Sequence, residues 1–154
     1  MTGLRAGCDL VDIARLSAAI DRRPALLARV FTDRELVDAR RGGVAAGSEV
    51  ERARLAARFA AKEATRKALG DLRLPFHAVE VRTTEDGAPV LYLHGEPAPL
   101  ACSLSHDGGM AMAVVVGMVT DAAAAMDARV DTGRATDTEG SPPRPDPPPT
   151  EIRA

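Results

Sequence analysis

The sequence predicts an α+β fold in which an antiparallel sheet packs against one long helix and several shorter ones. Three observations predict it: the chain opens on a short alternating stretch, a block of capped helical segments follows, and strand patterns return after residue 78. Strands kept apart from helices in this way pair mainly with one another rather than through helical crossovers. At 154 residues the chain needs only one domain with a modest core, expected over residues 1–120, with an Ala- and Pro-rich tail over 121–154.

The elements follow in order. Leu4, Ala6, Cys8 and Leu10 alternate with Arg5, Gly7 and Asp9, the period-two pattern of a strand, so Asp9 is expected to point away from the apolar row. Asp12 can cap a helix from Ile13 whose Ile13, Leu16 and Ile20 form one stripe. Pro24 suits the start of a short helix through Leu26 and Leu27. Thr32-Asp33-Arg34-Glu35 and Ser48-Glu49-Val50-Glu51 both read as capping boxes, in which a hydroxyl and a carboxylate satisfy free amides. The second opens a long helix over roughly 49–69, and Gly70 can take the left-handed conformation that ends it. Val79 to Thr83 and Val90 to Leu93 read as strands joined by a Glu85-Asp86-Gly87-Ala88-Pro89 turn. Cys102 to His106 alternates again, and Met110 to Val119 is apolar throughout, as expected of a strand covered on both faces. The proline-rich run from Gly140 to Pro149 cannot build a core and is expected to be extended and solvated.

Composition narrows the function. With no Trp, one Tyr and three Phe, the chain lacks the stacking platforms of single-strand nucleic-acid binders. The net charge of −2 hides an asymmetry: residues 1–82 carry 16 Lys and Arg against 11 Asp and Glu, while residues 121–154 carry 4 against 7. A basic front suits an acidic partner or a phosphate-rich ligand. Cys8 and Cys102 sit in apolar runs without metal-ligand spacing and are expected to be buried thiols in a reducing cytoplasm. No long apolar leader run and no stretch of ~20 apolar residues is present, so a cytoplasmic protein without a membrane span is expected.

The chemistry concentrates in Arg58-Phe59-Ala60-Ala61-Lys62-Glu63-Ala64-Thr65-Arg66-Lys67, which sets one carboxylate among four cations on the long helix. Glu63 and Lys67 are four apart, as are Lys62 and Arg66, so each pair lines up along the helix. Phe59, one turn before Glu63, draws that side toward the protein body, where a carboxylate needs a cation or metal. Asp9 supplies a second, distant acid. Mg²⁺ takes oxygen ligands and is commonly held by one or two carboxylates plus substrate phosphates, so Asp9 and Glu63 beside lysines suit a magnesium–diphosphate site. Taken singly, each of these residues also fits a solvated helix pair or a capping group. No zinc spacing, Gly-x-Ser-x-Gly elbow, Walker loop or dinucleotide fingerprint occurs.

These segments resemble the holo-acyl-carrier-protein synthases, the small trimeric branch of the phosphopantetheinyl transferases. Gly7-Cys8-Asp9-Leu10-Val11-Asp12-Ile13-Ala14-Arg15 resembles the family's opening motif and first helix, Phe31 to Leu36 the start of its second helix, and Arg58 to Ala64 with Lys67 its signature. Asp86-Gly87-Ala88-Pro89 and Ser103-Leu104-Ser105-His106 match later pieces, and order and spacing agree over about 1–119.

The resemblance implies a phosphopantetheinyl-transferase-like fold and transfer of the 4′-phosphopantetheine arm of coenzyme A to a serine of apo acyl carrier protein, with release of adenosine 3′,5′-bisphosphate. It implies Mg²⁺ as cofactor, with Asp9 and Glu63 as its ligands. Glu63 and Lys67 take catalytic places, and Lys62 and Lys67 face the diphosphate. Arg58 meets the adenosine 3′-phosphate, His106 makes another coenzyme A contact, and Gly87 and Pro89 form the loop that a neighbouring protomer lends to the adenine. Arg15 receives the acidic helix of the carrier protein, the assembly is a homotrimer, and the carrier serves fatty-acid or polyketide synthesis.

Serine attack on the β-phosphorus needs in-line positioning and charge stabilisation, for which Mg²⁺ and lysines suffice; Glu63 or a metal-bound water could take the serine proton. The chain departs from the family in two places. Ala88 stands where a basic residue commonly follows the turn glycine, and Asp107 follows the histidine where Ser or Thr is frequent. Weaker coenzyme A binding, or a different set of these loops, is expected. Two other classes remain open as alternatives: a non-catalytic coenzyme A or carrier-protein binding module of the same fold, and a basic nucleic-acid-binding domain, which the scarcity of aromatics disfavours.

Overall fold

The computed structural model describes residues 2–120; the expected tail over 121–154 lies outside the described residues. The elements run β1 (Thr2–Asp12), α1 (Ile13–Arg22), α2 (Ala25–Val30), α3 (Asp33–Ala39), α4 (Glu49–Leu69), a single 3₁₀ turn (Phe76–Ala78), β2 (Val79–Thr83), β3 (Pro89–Leu93), β4 (Glu96–Pro97), β5 (Leu100–Asp107) and β6 (Met110–Thr120). The α+β class and the antiparallel pairing are as predicted. The strands divide into two three-stranded sheets, in the orders β1-β6-β5 and β2-β3-β4. The short β4 and the 3₁₀ turn carry no strong pattern in the sequence.

Local chemistry explains most boundaries. The Asp12 carboxylate accepts the Arg15 amide at 2.9 Å and starts α1. Thr32 and Glu35 form the full reciprocal box at α3, with the Thr32 amide donating to Glu35 Oε2 at 2.9 Å. At α4 the box is half made: Ser48 Oγ accepts the Glu51 amide, but the Glu51 carboxylate reaches Gly47 and Arg40 instead of Ser48. Gly70, at φ 74°, ends α4 in the left-handed region.

The core lies between α4 and the β1-β6-β5 sheet. Ala56, Ala57, Ala60, Ala61, Ala64 and Ala68 meet Val11, Ala111, Ala113 and Val115, with a second cluster of Val30, Phe31, Ala39 and Leu55 beneath the short helices. Small residues let the helix and sheet approach closely. The extreme point is Gly7, where a Cβ would stand 2.0 Å from the Ala64 carbonyl oxygen and 2.7 Å from the Ala68 nitrogen.

This close approach reverses the expected facing of β1. Gly7 and Val11 are buried against α4, whereas Leu4 and Leu10 are 70% and 60% exposed and Cys8 is exposed. Asp9 is opposite the apolar row, as expected, but its side is the inner one. Alternation fixes that a strand has two faces; the steric fit to α4 selects the face with the small residues. The same holds for β6, whose Ala111, Ala113, Val115 and Val119 face α4 while Met112 and Met118 are exposed. Only one face of β6 is covered within a single chain, contrary to the expectation. Cys102 is half-buried and its thiol is pushed up to about 11 by desolvation, so of the two cysteines only this one has an interior character.

Gly7→Ala is expected to destabilise the protein by about 2 kcal/mol or more, since the added methyl meets backbone rather than a flexible side chain. A urea midpoint unchanged from wild type would contradict the packing described.

Candidate active site in two clefts

The strand β1 and the helix α4 together position the first cleft. Pairing of β1 with β6 fixes Asp9 opposite Ala113, and the contact at Gly7 holds β1 directly over the Ala64–Ala68 turn. Asp9 therefore projects beside the last turns of α4, where Lys67 Nζ donates to Asp9 Oδ1 at 2.7 Å and to the Cys8 carbonyl at 3.0 Å. The Asp9 side chain is 18% exposed and that of Lys67 45%. The bond to Asp9 holds the Lys67 ammonium above its ordinary pKa. Glu63 sits one turn earlier on α4 and accepts from Arg66 Nη1 at 3.1 Å. Asp9 and Glu63 line one cleft of about 780 Å³, with Asp12, Arg15 and Arg22 at its α1 side and Phe59 and Phe76 at its apolar side.

A second cleft, of about 580 Å³, gathers Arg58, Gly87, Pro89 and His106, together with Arg41 and Arg54. Arg58 is buried on α4; its Nη2 donates to Thr83 Oγ1 at 3.0 Å and its Nη1 to the Arg54 carbonyl at 3.2 Å. Its Nε is buried without a partner, and desolvation pulls the guanidinium below its ordinary pKa despite the opposing pull of Asp38 and Glu35. Arg41 Nη1 donates to the Thr84 carbonyl at 3.1 Å, which ties the loop before α4 to the turn carrying Gly87. The two clefts share no lining residue. Asp86 lines the second cleft, whereas Asp107 is exposed and lines neither.

Lys62 corrects the sequence expectation. Its ammonium is fully buried, lies 2.8 Å from Glu35 Oε2, donates to the Phe76 carbonyl at 2.9 Å and also donates to the Val79 carbonyl. Buried and saturated by these partners, it cannot face a diphosphate in this arrangement, whereas the Lys67 side chain is 45% exposed. Burial pulls the Lys62 pKa down, against the opposing attraction of Glu35. Helical geometry accounts for the difference: Lys67 lies five positions after Lys62, a rotation of about 140° around the axis, so the two lysines leave α4 on different sides.

Glu35 is the residue the sequence reading stopped short of. Its carboxylate caps α3 through Thr32, accepts the Val81 amide at 2.9 Å and pairs with Lys62, joining α3, β2 and α4 at one buried point. The capping box was visible; its long-range partners carry no local signal. Arg54 was likewise unmarked, although its position one turn before Arg58 was available.

The residues at the first cleft fit an oxygen-seeking divalent ion. Asp9 and Glu63, from different elements, line one cleft, the third acid there, Asp12, is engaged in capping α1, and among the described residues no group of three or more His, Cys, Asp or Glu offers a fuller cage. Two carboxylates plus phosphate oxygens and water form the kind of set that Mg²⁺ accepts.

The profile of the 4′-phosphopantetheinyl transferase superfamily matches residues 5–119. The chain is 42% identical over 122 residues to a holo-[acyl-carrier-protein] synthase of Beutenbergia cavernae, covering 71% of this chain and 93% of that one. It is 40% identical over 128 residues to that of Streptomyces coelicolor, covering 75% and 98%. Among solved structures, a holo-(acyl-carrier-protein) synthase of Bacillus anthracis in complex with CoA (3′,5′-ADP) superposes with a TM-score of 0.61 at 29% identity, covering 75% of this chain and 96% of that one.

Lys62→Met should cost about 3–5 kcal/mol by stranding the buried Glu35 carboxylate, whereas Lys67→Met should change stability by under about 1 kcal/mol. Urea denaturation of both variants checks this; equal losses would refute the separation of an interior lysine from a site lysine.

Proposed function

The chain belongs to the 4′-phosphopantetheinyl transferase superfamily, as an enzyme of the holo-[acyl-carrier-protein] synthase kind, and from that premise we propose that it moves the 4′-phosphopantetheine arm of coenzyme A to a serine of apo acyl carrier protein, dependent on Mg²⁺, releasing adenosine 3′,5′-bisphosphate. The observation that carries this reading is that Asp9 and Glu63, 54 positions apart in the chain, line one cleft with Arg15, and that Lys67 is bonded to Asp9. A coenzyme A complex of a Bacillus anthracis relative supports the same ligand here.

In this reading Asp9 and Glu63 would hold the ion, and the Lys67 ammonium stabilises charge on the non-bridging oxygens as the serine oxygen attacks the β-phosphorus. A bound Mg²⁺ would supply Lewis-acid polarisation of those oxygens. The serine proton passes to Glu63 or to water. Arg58 binds the 3′-phosphate in the second cleft, where His106 adds a contact and the Gly87–Pro89 turn flanks the adenine. Arg41 and Arg54 line this cleft and supply positive charge near the Ala88 turn, which has no cation of its own. Lys62 has no part in the chemistry. Exposed Arg15, on α1 at the rim of the first cleft, meets the acidic surface of the carrier protein.

The separation of the two clefts supports a site completed between copies of the chain, one copy offering Asp9 and Glu63 and its neighbour the Gly87–Pro89 turn. The open face of β1 and β6 supports a homotrimer: Leu4 pairs across to Met118 and Leu10 to Met112, and all four are exposed in the single chain. An apolar sheet face of this kind needs a cover. Among the described residues no helix is long and apolar enough to cross a membrane, which agrees with a cytoplasmic enzyme.

Incubation of apo carrier protein with coenzyme A, Mg²⁺ and this enzyme should add one phosphopantetheine to the carrier's intact mass. Asp9→Asn or Glu63→Gln should lower that rate at least about 100-fold while leaving the urea midpoint near wild type; full activity in either variant would contradict the metal assignment. Arg15→Glu should raise the KM for carrier protein about tenfold and leave coenzyme A binding by calorimetry unchanged. Equal losses in both would remove Arg15 from the carrier surface.

A further inference from the structure

Arg66 has no place in the scheme above, yet it is the residue that touches Glu63. Its Nη1 donates to Glu63 Oε1 at 3.1 Å, and its guanidinium carbon stands 4.7 Å from the centroid of the Phe76 ring. That ring is itself fixed: it stacks on Phe59 with centroids 5.4 Å apart, and the Phe76 carbonyl accepts from the buried Lys62 ammonium. The Arg66 side chain is only 14% exposed, and its Nε is buried without a partner. A solvated surface arginine would sample many rotamers; this one is inserted between an aromatic face and a carboxylate. Phe59, Phe76 and Glu63 all line the cleft that holds Asp9.

We infer that Arg66 is a positioning residue which, in the absence of a divalent ion, occupies the Glu63 carboxylate and competes with the ion for it. The inference rests on the reading of Glu63 as a metal ligand. Asp9 carries Lys67 in the same way, so the two acids read as ion ligands are both paired with cations of α4, while Asp12, also on the cleft, caps α1. A guanidinium on a ligand carboxylate lowers the negative potential at the ion's seat and takes up one of the oxygens the ion would use. Ion binding to the free enzyme is thereby weakened, and the diphosphate of the incoming substrate restores the missing negative charge. Arg66 thus couples recruitment of the ion to arrival of coenzyme A, and the Phe76 ring gives the guanidinium a resting place once Glu63 is taken.

The test is Mn²⁺ titration of the full chain without coenzyme A, followed by electron paramagnetic resonance, for wild type, Arg66→Gln, Arg66→Lys and Glu63→Gln. Arg66→Gln should bind Mn²⁺ about five times more tightly than wild type, Arg66→Lys within about twofold of it, and Glu63→Gln should lose the site. Arg66→Met, apolar and of similar reach, replaces Arg66→Gln if the latter does not fold. Unchanged or weaker binding in the neutral variant, or equal tightening in Arg66→Lys, overturns the role of Arg66 while a defective Glu63→Gln keeps the metal site. Wild-type binding in Glu63→Gln removes the metal site itself and the role of Arg66 with it.

Discussion

The absent side chain at Gly7 sets the distance between β1 and α4, and the first cleft follows from that distance. With the Ala64 carbonyl 2.0 Å from where a Cβ would be, no other residue lets the strand lie so close to the helix. One pleat further along, Asp9 then falls within 2.7 Å of Lys67 and into the same cleft as Glu63. A strand held farther out would leave the two acids on separate surfaces. The row of buried alanines on α4 serves the same end, because each keeps the helix flat against Ala111, Ala113 and Val115. Core packing and site geometry are here one constraint.

The opposite side of α4 is fixed by different means. Where β1 meets the helix through small apolar residues, the α3 and β2 side meets it through the Glu35–Lys62 pair, buried at 0% exposure for both side chains. A buried ion pair tolerates little displacement, since removing either member strands a charge. By binding the Phe76 and Val79 carbonyls as well, Lys62 sets the segment that leads into β2 and places the Phe76 ring at the cleft. The lysine that the signature suggests as a phosphate contact works instead as the post on which part of the cleft wall stands.

What could be read from the sequence were the features with local causes. The Asp12 and Thr32 caps, the left-handed Gly70 and the β2–β3 hairpin each depend on a few adjacent residues, and each is where the spacing puts it. The opposition of Asp9 to the Leu4–Leu10 row is legible for the same reason, whereas Glu63 and Lys67, four apart on α4, pair with Arg66 and Asp9 rather than with each other. Which face of β1 turns inward was not, because Leu4, Ala6, Cys8 and Leu10 look like a core stripe until the steric demand of α4 is known. Lys62 was misread because its partner, Glu35, lies 27 positions away in the chain and carries only a capping signature. Phe76 reaches the first cleft through tertiary contacts that leave no mark on local pattern, whereas the Arg66–Glu63 contact is a local one along α4.

A single ion bridging a strand acid and a helix acid is the centre of the proposed chemistry. Crystals of the enzyme grown with Mn²⁺ and coenzyme A, and measured for anomalous scattering, test this most directly. One strong peak per active site is expected, within about 2.1 Å of carboxylate oxygens of both Asp9 and Glu63. A peak coordinated by other acids, or bound by only one of these two with the other still paired to its lysine or arginine, would contradict it.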